Sequence, residues 1–250
     1  MKYTPRTRRL GLLLPSSNST QEPEFSDVLP PEISLHTARL TLNSIDAEST
    51  VKIVEELEKE SSKLADADVG VILLAATAPT SRKGLGYDRE LLERIRAATG
   101  KPATTASTAM LEAFAQLNIR RVALAAPWSE SVNQTVAGFI EANGVNVVSQ
   151  RALGVVRNND VGRLDPKTAF DLACEADRSD ADAIFLACGN WWAMSQVGKL
   201  EQKLGKPVLT TNQVSIWAAL QILGHQEPLK GWGSLLAGLG DEKAVSPAAN

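Results

Sequence analysis

The chain has 250 residues, 44% of them hydrophobic and 22% charged, with a formal net charge of −3 and acids and bases interspersed. That length holds one large or two small domains around a real core, and without a basic face the balance speaks for no nucleic acid as partner. Two cysteines make no disulfide framework. With no apolar run long enough for a signal h-region or a span, the expectation is a cytoplasmic protein with no membrane contact.

In chain order, Met1 to Arg9 reads as a basic solvated tail and Leu10–Leu14 as a first buried strand. Ile33–Leu42 is a second strand. Ala47–Leu64 follows as one helix, with Val51, Val54, Leu57 and Leu64 on a stripe and Asp46 as N-cap. Strand Val69–Ala75, helix Arg89–Ala98, strand Ala103–Ala106 and helix Thr108–Leu117 complete a first set. A second set runs strand Val122–Ala126, helix Ser129–Asn143, strand Val145–Arg151, helix Pro166–Ala176, strand Ala183–Ala187, helix Met194–Leu204, strand Val208–Thr211 and helix Val214–Leu223. The pattern predicts an α/β chain of two pseudo-symmetric doubly wound halves, each with a roughly four-stranded parallel sheet. Residues 1–118 form the first half and 119–224 the second, and a Gly/Ala-rich tail of about 225–250 packs back on the first.

The halves repeat each other. Asp68-Val-Gly-Val-Ile-Leu-Leu-Ala-Ala76 matches Asp180-Ala-Asp-Ala-Ile-Phe-Leu-Ala-Cys188, 112 positions later, and the same offset pairs Leu10-Gly-Leu-Leu-Leu-Pro15 with Val122-Ala-Leu-Ala-Ala-Pro127. Gly100-Lys-Pro-Ala-Thr-Thr105 matches Gly205-Lys-Pro-Val-Leu-Thr210 at an offset of 105, the change falling where the first half carries Gly84-Leu-Gly-Tyr87. Parallel sheets bind ligands beyond the carboxyl ends of their strands. The ends at Pro15-Ser16-Ser17-Asn18, Ala76-Thr77, Pro127-Trp128-Ser129 and Cys188-Gly189-Asn190 therefore converge on one cleft between the halves, with a thiol at one of two equivalent positions.

Cys188 is the sharpest candidate. It ends a strand before Gly189, and a helix start expected within a few residues would lower its pKa and offer amides to an anion; the competing reading is a small buried hydrophobe. Cys174, mid-helix, reads as structural. Ser16, Ser17, Asn18 and Thr77 are short polar groups that could hold a carboxylate, or only form turns and caps. Trp128, Trp191 and Trp192 hint at a bulky ligand or pack the cleft. His36 and His225 are isolated, so no metal site is expected. There is no phosphate-binding glycine loop, dinucleotide fingerprint or nucleophile elbow, which leaves a site with no cofactor.

Leu13-Leu-Pro-Ser-Ser-Asn18, Gly84-Leu-Gly-Tyr87, Arg121-Val-Ala-Leu-Ala125, Asn158, Asp165-Pro166 and Ala187-Cys-Gly189 give the chain its kinship. With the two-half design they resemble the arylmalonate decarboxylase and maleate cis–trans isomerase branch of the aspartate/glutamate racemase superfamily. The resemblance implies that Cys188 is the thiol that protonates a planar enediolate. It also implies that Ala76 occupies the vacated first-thiol position, where racemases and isomerases keep a second cysteine and decarboxylases a glycine. Asn18 and Asn158 match carboxylate-binding asparagines of the isomerases, and Thr77 matches a threonine of the decarboxylase oxyanion pocket. Ala78 replaces the serine that follows there, Trp128 stands where both types have tyrosine, and Asn190-Trp-Trp192 departs from both patterns.

The resemblance thus implies a cofactor-independent carbon-acid enzyme on a small-molecule mono- or dicarboxylate. Ser17, Asn18, Thr77, Trp128, Asn158, Gly189 and Asn190 would line its substrate site, and a homo-oligomer is left open. Malonate-type decarboxylation with Cys188 as proton donor leads. The alternatives are a maleate isomerase or racemase relative lacking its first cysteine, whether Ala76 is natural or engineered, and a catalytically inert carboxylate-binding protein.

Overall fold

The short apolar runs become strands because they are buried on both faces, as the inner strands of parallel sheets must be. The computed structural model describes residues 8–42 and 44–240; the basic residues 1–7, the end of the tail at 241–250 and the side chain of Val51 lie outside them. The first half runs β1 (Arg8–Pro15), α1 (Gln21–Val28), β2 (Ile33–Leu40), α2 (Ala47–Lys52), a 3-10 turn (Ile53–Glu56), α3 (Leu57–Asp66), β3 (Val71–Leu74), α4 (Thr77–Ser81), α5 (Tyr87–Thr99), β4 (Ala103–Thr105) and α6 (Ala106–Gln116). The second runs β5 (Arg121–Ala126), α7 (Glu130–Ala142), β6 (Asn146–Ala152), α8 (Asn158–Val161), α9 (Pro166–Ala176), β7 (Ala183–Leu186), a 3-10 turn (Met194–Gln196), α10 (Val197–Leu204), β8 (Val208–Thr210) and α11 (Thr211–Ile222), before a final α12 (Ser234–Ala237).

Two four-stranded sheets result, ordered β2-β1-β3-β4 and β6-β5-β7-β8, with all named pairings parallel. Local chemistry repeats with topology. Gly100 and Gly205 end α5 and α10 in the left-handed conformation that glycine adopts without strain. Thr105 and Thr210 cap α6 and α11 by accepting the amides of Thr108 and Gln213.

The halves also interlock. α11, buried nearly all round, packs on α6 and on β3 and β4 of the first sheet as well as on its own β8. Phe114 of α6 meets Phe185 of β7 edge to face, with ring centroids 5.6 Å apart. One apolar core therefore contains residues of both sheets. Across the strand ends, α1 lies against α11 and α7 against α4, so each half's first helix packs on the other half.

Three local outcomes differ from the periodicity. The segment expected as one helix over Ala47–Leu64 is two helices broken by the turn at Ile53–Glu56. Arg94 takes the Val54 carbonyl at 2.7 Å there, and the β-branched pair Ile53-Val54 favours helix poorly. The helices α1, α4 and α8 carry no apolar stripe and were not anticipated. Beyond α11, the described part of the tail lies mostly on the second half: Trp232 O accepts from Gln213 Nε2 at 2.6 Å and Ser234 Oγ donates to Glu201 at 2.7 Å, while His225 faces Glu32 at 3.4 Å. No helix among the described residues is long and apolar enough to cross a membrane.

Candidate active site

At the end of β3, Ala76 has ordinary extended backbone and caps the short α4, which begins at Thr77. At the end of β7, Cys188 has φ of 143°, a region that costs a non-glycine residue about 1–3 kcal/mol. Its amide donates to Thr211 Oγ1 at 3.0 Å, and the same oxygen lies 3.0 Å from Thr77 Oγ1. Thr211 is thus a site residue that the motifs did not single out. The second offset of the repeat could have found it, since that offset pairs Thr211 with Ala106 and makes it a second departure from symmetry.

No helix starts near Cys188: residues 189–193 run irregularly before the 3-10 turn at Met194. The expected depression of the thiol pKa is therefore overturned. Burial pushes Cys188 up to about 12, and the Asn190 amide offsets only part of that. The side chain is a neutral thiol through the physiological range, suited to giving a proton rather than to acting as a resting thiolate. Cys174 is the other free cysteine.

The asparagines are occupied by the protein itself. Asn18 Oδ1 accepts the amides of Thr20 and Gln21 at 2.9 Å each and so caps α1, while its Nδ2 donates to Gln21 Oε1 at 2.7 Å. Asn158 Nδ2 donates to Ser17 Oγ at 2.8 Å, and Ser17 Oγ in turn donates to Leu42 O. Asn190 is a clasp between the halves: Oδ1 accepts the Ser19 amide at 2.8 Å, Nδ2 donates to Asn158 O at 2.7 Å, and its carbonyl accepts from Thr20 Oγ1 at 3.1 Å. A short strap adds to it, with Ile45 N donating to Val156 O at 3.2 Å beside an antiparallel Ser44–Arg157 bridge. Asn18, Thr77, Trp128, Asn158, Cys188 and Asn190 are all buried.

The tryptophans likewise spend their N–H groups on protein acceptors. Trp128 Nε1 donates to Asn133 Oδ1 at 3.2 Å, Trp191 to Thr168 Oγ1 at 3.0 Å and Trp192 to Gly162 O at 3.0 Å. Trp191 packs the core rather than lining an open cleft.

A buried polar cluster lies against Gly189, and sequence inspection missed it. Gln21 is fully buried, and its Nε2 has no partner. Asn212 Nδ2 donates to Glu24 Oε2 at 2.7 Å and to Gly189 O at 3.1 Å, leaving Asn212 Oδ1 unpaired. Each such orphan costs about 1–3 kcal/mol in a closed site. Glu24 also accepts the Met194 amide at 3.3 Å, yet burial dominates and raises its pKa to about 7. A side chain on Gly189 would collide with the Gln21 amide, its Cβ falling 2.4 Å from Nε2.

A cavity of about 390 Å³ is lined by Ile45, Ala78, Arg82, Ser129, Val132 and Val156 among others. Ala78 and Ser129 are chain neighbours of Thr77 and Trp128, so it adjoins the cleft; Cys188 does not line it. Among the described residues no group of His, Cys, Asp and Glu side chains could hold a metal ion.

Comparisons with known proteins place nearly the whole chain beside characterised enzymes. A family model described as arylmalonate decarboxylase matches residues 10–236. A maleate isomerase from Pseudomonas putida is 29% identical over 243 residues, spanning 92% of this chain and 97% of that protein. An arylmalonate decarboxylase from Bordetella bronchiseptica is 28% identical over 232 residues, spanning 92% and 96%. The crystal structure of a maleate isomerase from Pseudomonas putida S16 superposes with a TM-score of 0.89 at 26% identity, covering 93% of this chain and 99% of that one.

Proposed function

The chain belongs to the arylmalonate decarboxylase family, and from that premise we propose that it is a cofactor-independent decarboxylase of a malonate-type diacid. The observation that carries the reading is the pairing of a buried, neutral thiol at Cys188 with an alanine at the equivalent position 76. In this reading the retained carboxylate is held by the Thr77 hydroxyl and the backbone around Gly189. The departing one meets apolar surface, where desolvation favours its loss. The bond from the α-carbon to the departing carboxylate breaks, carbon dioxide leaves, and the electron pair passes into the retained carboxylate as an enediolate. Donors aimed at that developing charge contribute ~3 kcal/mol each. The Cys188 S–H then gives its proton to the α-carbon, and the thiolate is reprotonated from water. Ala76 presents neither acid nor base to the opposite face, so the product forms with one hand.

Isomerisation of maleate is the second reading, favoured by the 0.89 TM-score to a maleate isomerase. A solved maleate isomerase from Nocardia farcinica carries a covalent succinylcysteine intermediate. If this chain's place for that nucleophile is position 76, alanine cannot form such a bond, and the neighbouring Thr77 hydroxyl pairs with the Thr211 hydroxyl, which is no general base. An inert carboxylate-binding role is disfavoured because the relatives named above are enzymes. The free thiols fit a cytoplasmic compartment.

The test is incubation with phenylmalonate, a methylmalonate-type diacid and maleate in deuterated water, followed by proton NMR. Monoacid carrying one deuterium at the α-carbon is the expected product. Fumarate from maleate without any decarboxylation would overturn the proposal.

A further inference from the structure

We propose that Gln21 is a substrate-binding residue, its Nε2 donating to an oxygen of the carboxylate that the enzyme retains. This rests on the decarboxylase reading and adds a contact that none of the motif residues supplies.

Three observations converge. Gln21 is the first residue of α1, is fully buried, and has its amide orientation fixed because Oε1 accepts from Asn18 Nδ2 at 2.7 Å. The group left over is therefore the NH₂, a donor without an acceptor. It lies against the Cα of Gly189, next to the thiol-bearing residue, in the space a Cβ at 189 would take. The repeat supplies the control. Position 21 corresponds at the 112 offset to Asn133, also buried and also carrying an amide. Asn133 has partners: Oδ1 accepts the Trp128 indole at 3.2 Å, and Nδ2 lies 3.5 Å from both Gln150 Oε1 and Arg151 O. The second half closes its buried amide on protein, while the first half leaves the corresponding donor open at the catalytic strand end.

The complement of an uncharged, fixed N–H donor in a closed site is a small anionic acceptor, and a carboxylate oxygen is that acceptor. As the enediolate forms, its oxygens gain charge, so the contact strengthens toward the transition state.

The experiment uses the whole chain and two variants, Gln21→Met, which keeps length and removes both polar atoms, and Gln21→Glu, which removes the donor and adds repulsion. Thermal shifts are measured with phenylacetate and with malonate as probes, and kcat and KM on a diacid that the wild type turns over. We expect the ligand-free Gln21→Met protein to melt near the wild-type temperature, because the unpaired Nε2 is gone while Asn18 Nδ2 loses its acceptor. We expect its affinity for both probes to fall roughly tenfold, about 1.4 kcal/mol, and kcat to fall as well. In Gln21→Glu the loss is larger and shrinks as pH is lowered. If Gln21→Met fails to fold, Gln21→Glu carries the test through that pH dependence. Unchanged probe binding and kcat in the variants, or a crystal structure of the carboxylate complex with Nε2 bonded to a water and not to the carboxylate, would overturn the proposal. A wild type that binds and decarboxylates no carboxylate would instead overturn the underlying function.

Discussion

The hydroxyl oxygens of Thr77 and Thr211 lie 3.0 Å apart, one from each half of the repeat, and Thr211 Oγ1 also accepts the Cys188 amide at 3.0 Å. The amide already donates into Thr211, so Thr211 can direct its own proton at Thr77, which leaves the Thr77 proton free for a substrate oxygen. One hydroxyl thus pins the strained backbone of the thiol and orients a donor on the facing strand end.

Thr211→Val keeps the shape and removes the acceptor. Stability should fall by about 1–3 kcal/mol because the Cys188 amide is left unpaired. The kcat should drop roughly tenfold or more with a smaller change in KM, as expected for a lost contact to developing charge. Thr211→Ser should restore most of both. A Thr211→Val enzyme with wild-type kcat would mean that Thr77 needs no orienting partner.

The thiol makes a pH prediction with a definite sign. With its pKa pushed up to about 12, Cys188 is protonated across the neutral range and loses its proton only in strong alkali. The kcat/KM profile should therefore show no thiol limb between about pH 6 and pH 10. Iodoacetamide at mildly alkaline pH should spare Cys188, since the thiolate is the reactive form; peptide mapping after alkylation reads this directly. Rapid loss of activity with modification at Cys188 would show that the site opens widely in solution.

Glu24 makes a stability prediction. Its pKa rises from 4.5 to about 7 on folding, chiefly through burial, with Asp27 adding to the rise and Asn212 and Met194 opposing it. The folded state therefore holds this proton more tightly. The associated stability is fully present below about pH 4.5 and is lost as pH climbs through 7, by about 3 kcal/mol in all. Asp46, Glu56, Glu58, Asp68 and Asp180 have lowered pKa values and titrate below this window, while Glu112, also raised by burial, adds to the fall with the same sign. Glu24→Gln should flatten the fall. Urea midpoints at pH 5 and pH 8 should diverge less in the variant than in the wild type; equal divergence would place the buried proton elsewhere.

Why the strands were legible and this cluster was not comes down to what burial does to a sequence. The inner strands β1, β3, β5 and β7 coincide with apolar runs, because a parallel strand buried on both faces needs apolar side chains on both, whereas the edge strands β2 and β6 are more exposed and more polar. α1 buries Gln21, Glu24, Phe25 and Val28, a spacing of i, i+3, i+4, i+7. Two of those four are polar, so the stripe is helical in geometry but not in hydropathy. Asn18 just ahead of Gln21 was the available signal, a short polar side chain placed to accept the amides of Thr20 and Gln21 at the helix start. The thiol's state was misjudged for a related reason: a helix dipole was expected at Cys188, the loop that follows it forms no helix, and burial alone sets the pKa. Asn158 and Asn190 were read one by one, whereas their contacts reach across the halves to Ser17, Ser19 and Thr20, which no local pattern encodes.

The vacated position gives the last prediction. Ala76 is buried, with φ of −142° and ψ of 93°, a backbone open to any residue. Ala76→Cys adds one sulfur atom and no backbone strain, in contrast to the conformation that Cys188 holds. If the two strand ends face one substrate carbon, the variant has a thiol on each side of the enediolate plane. It should racemise an enantiopure α-substituted monoacid and exchange its α-proton with deuterated water, both of which the wild type should do far more slowly. Adding Cys188→Ala to Ala76→Cys should leave only the new donor and so reverse the hand of the decarboxylation product, read by chiral chromatography. Retention of the original hand in that double variant would mean that position 76 does not face the substrate, and the asymmetry of the repeat would lose its catalytic meaning.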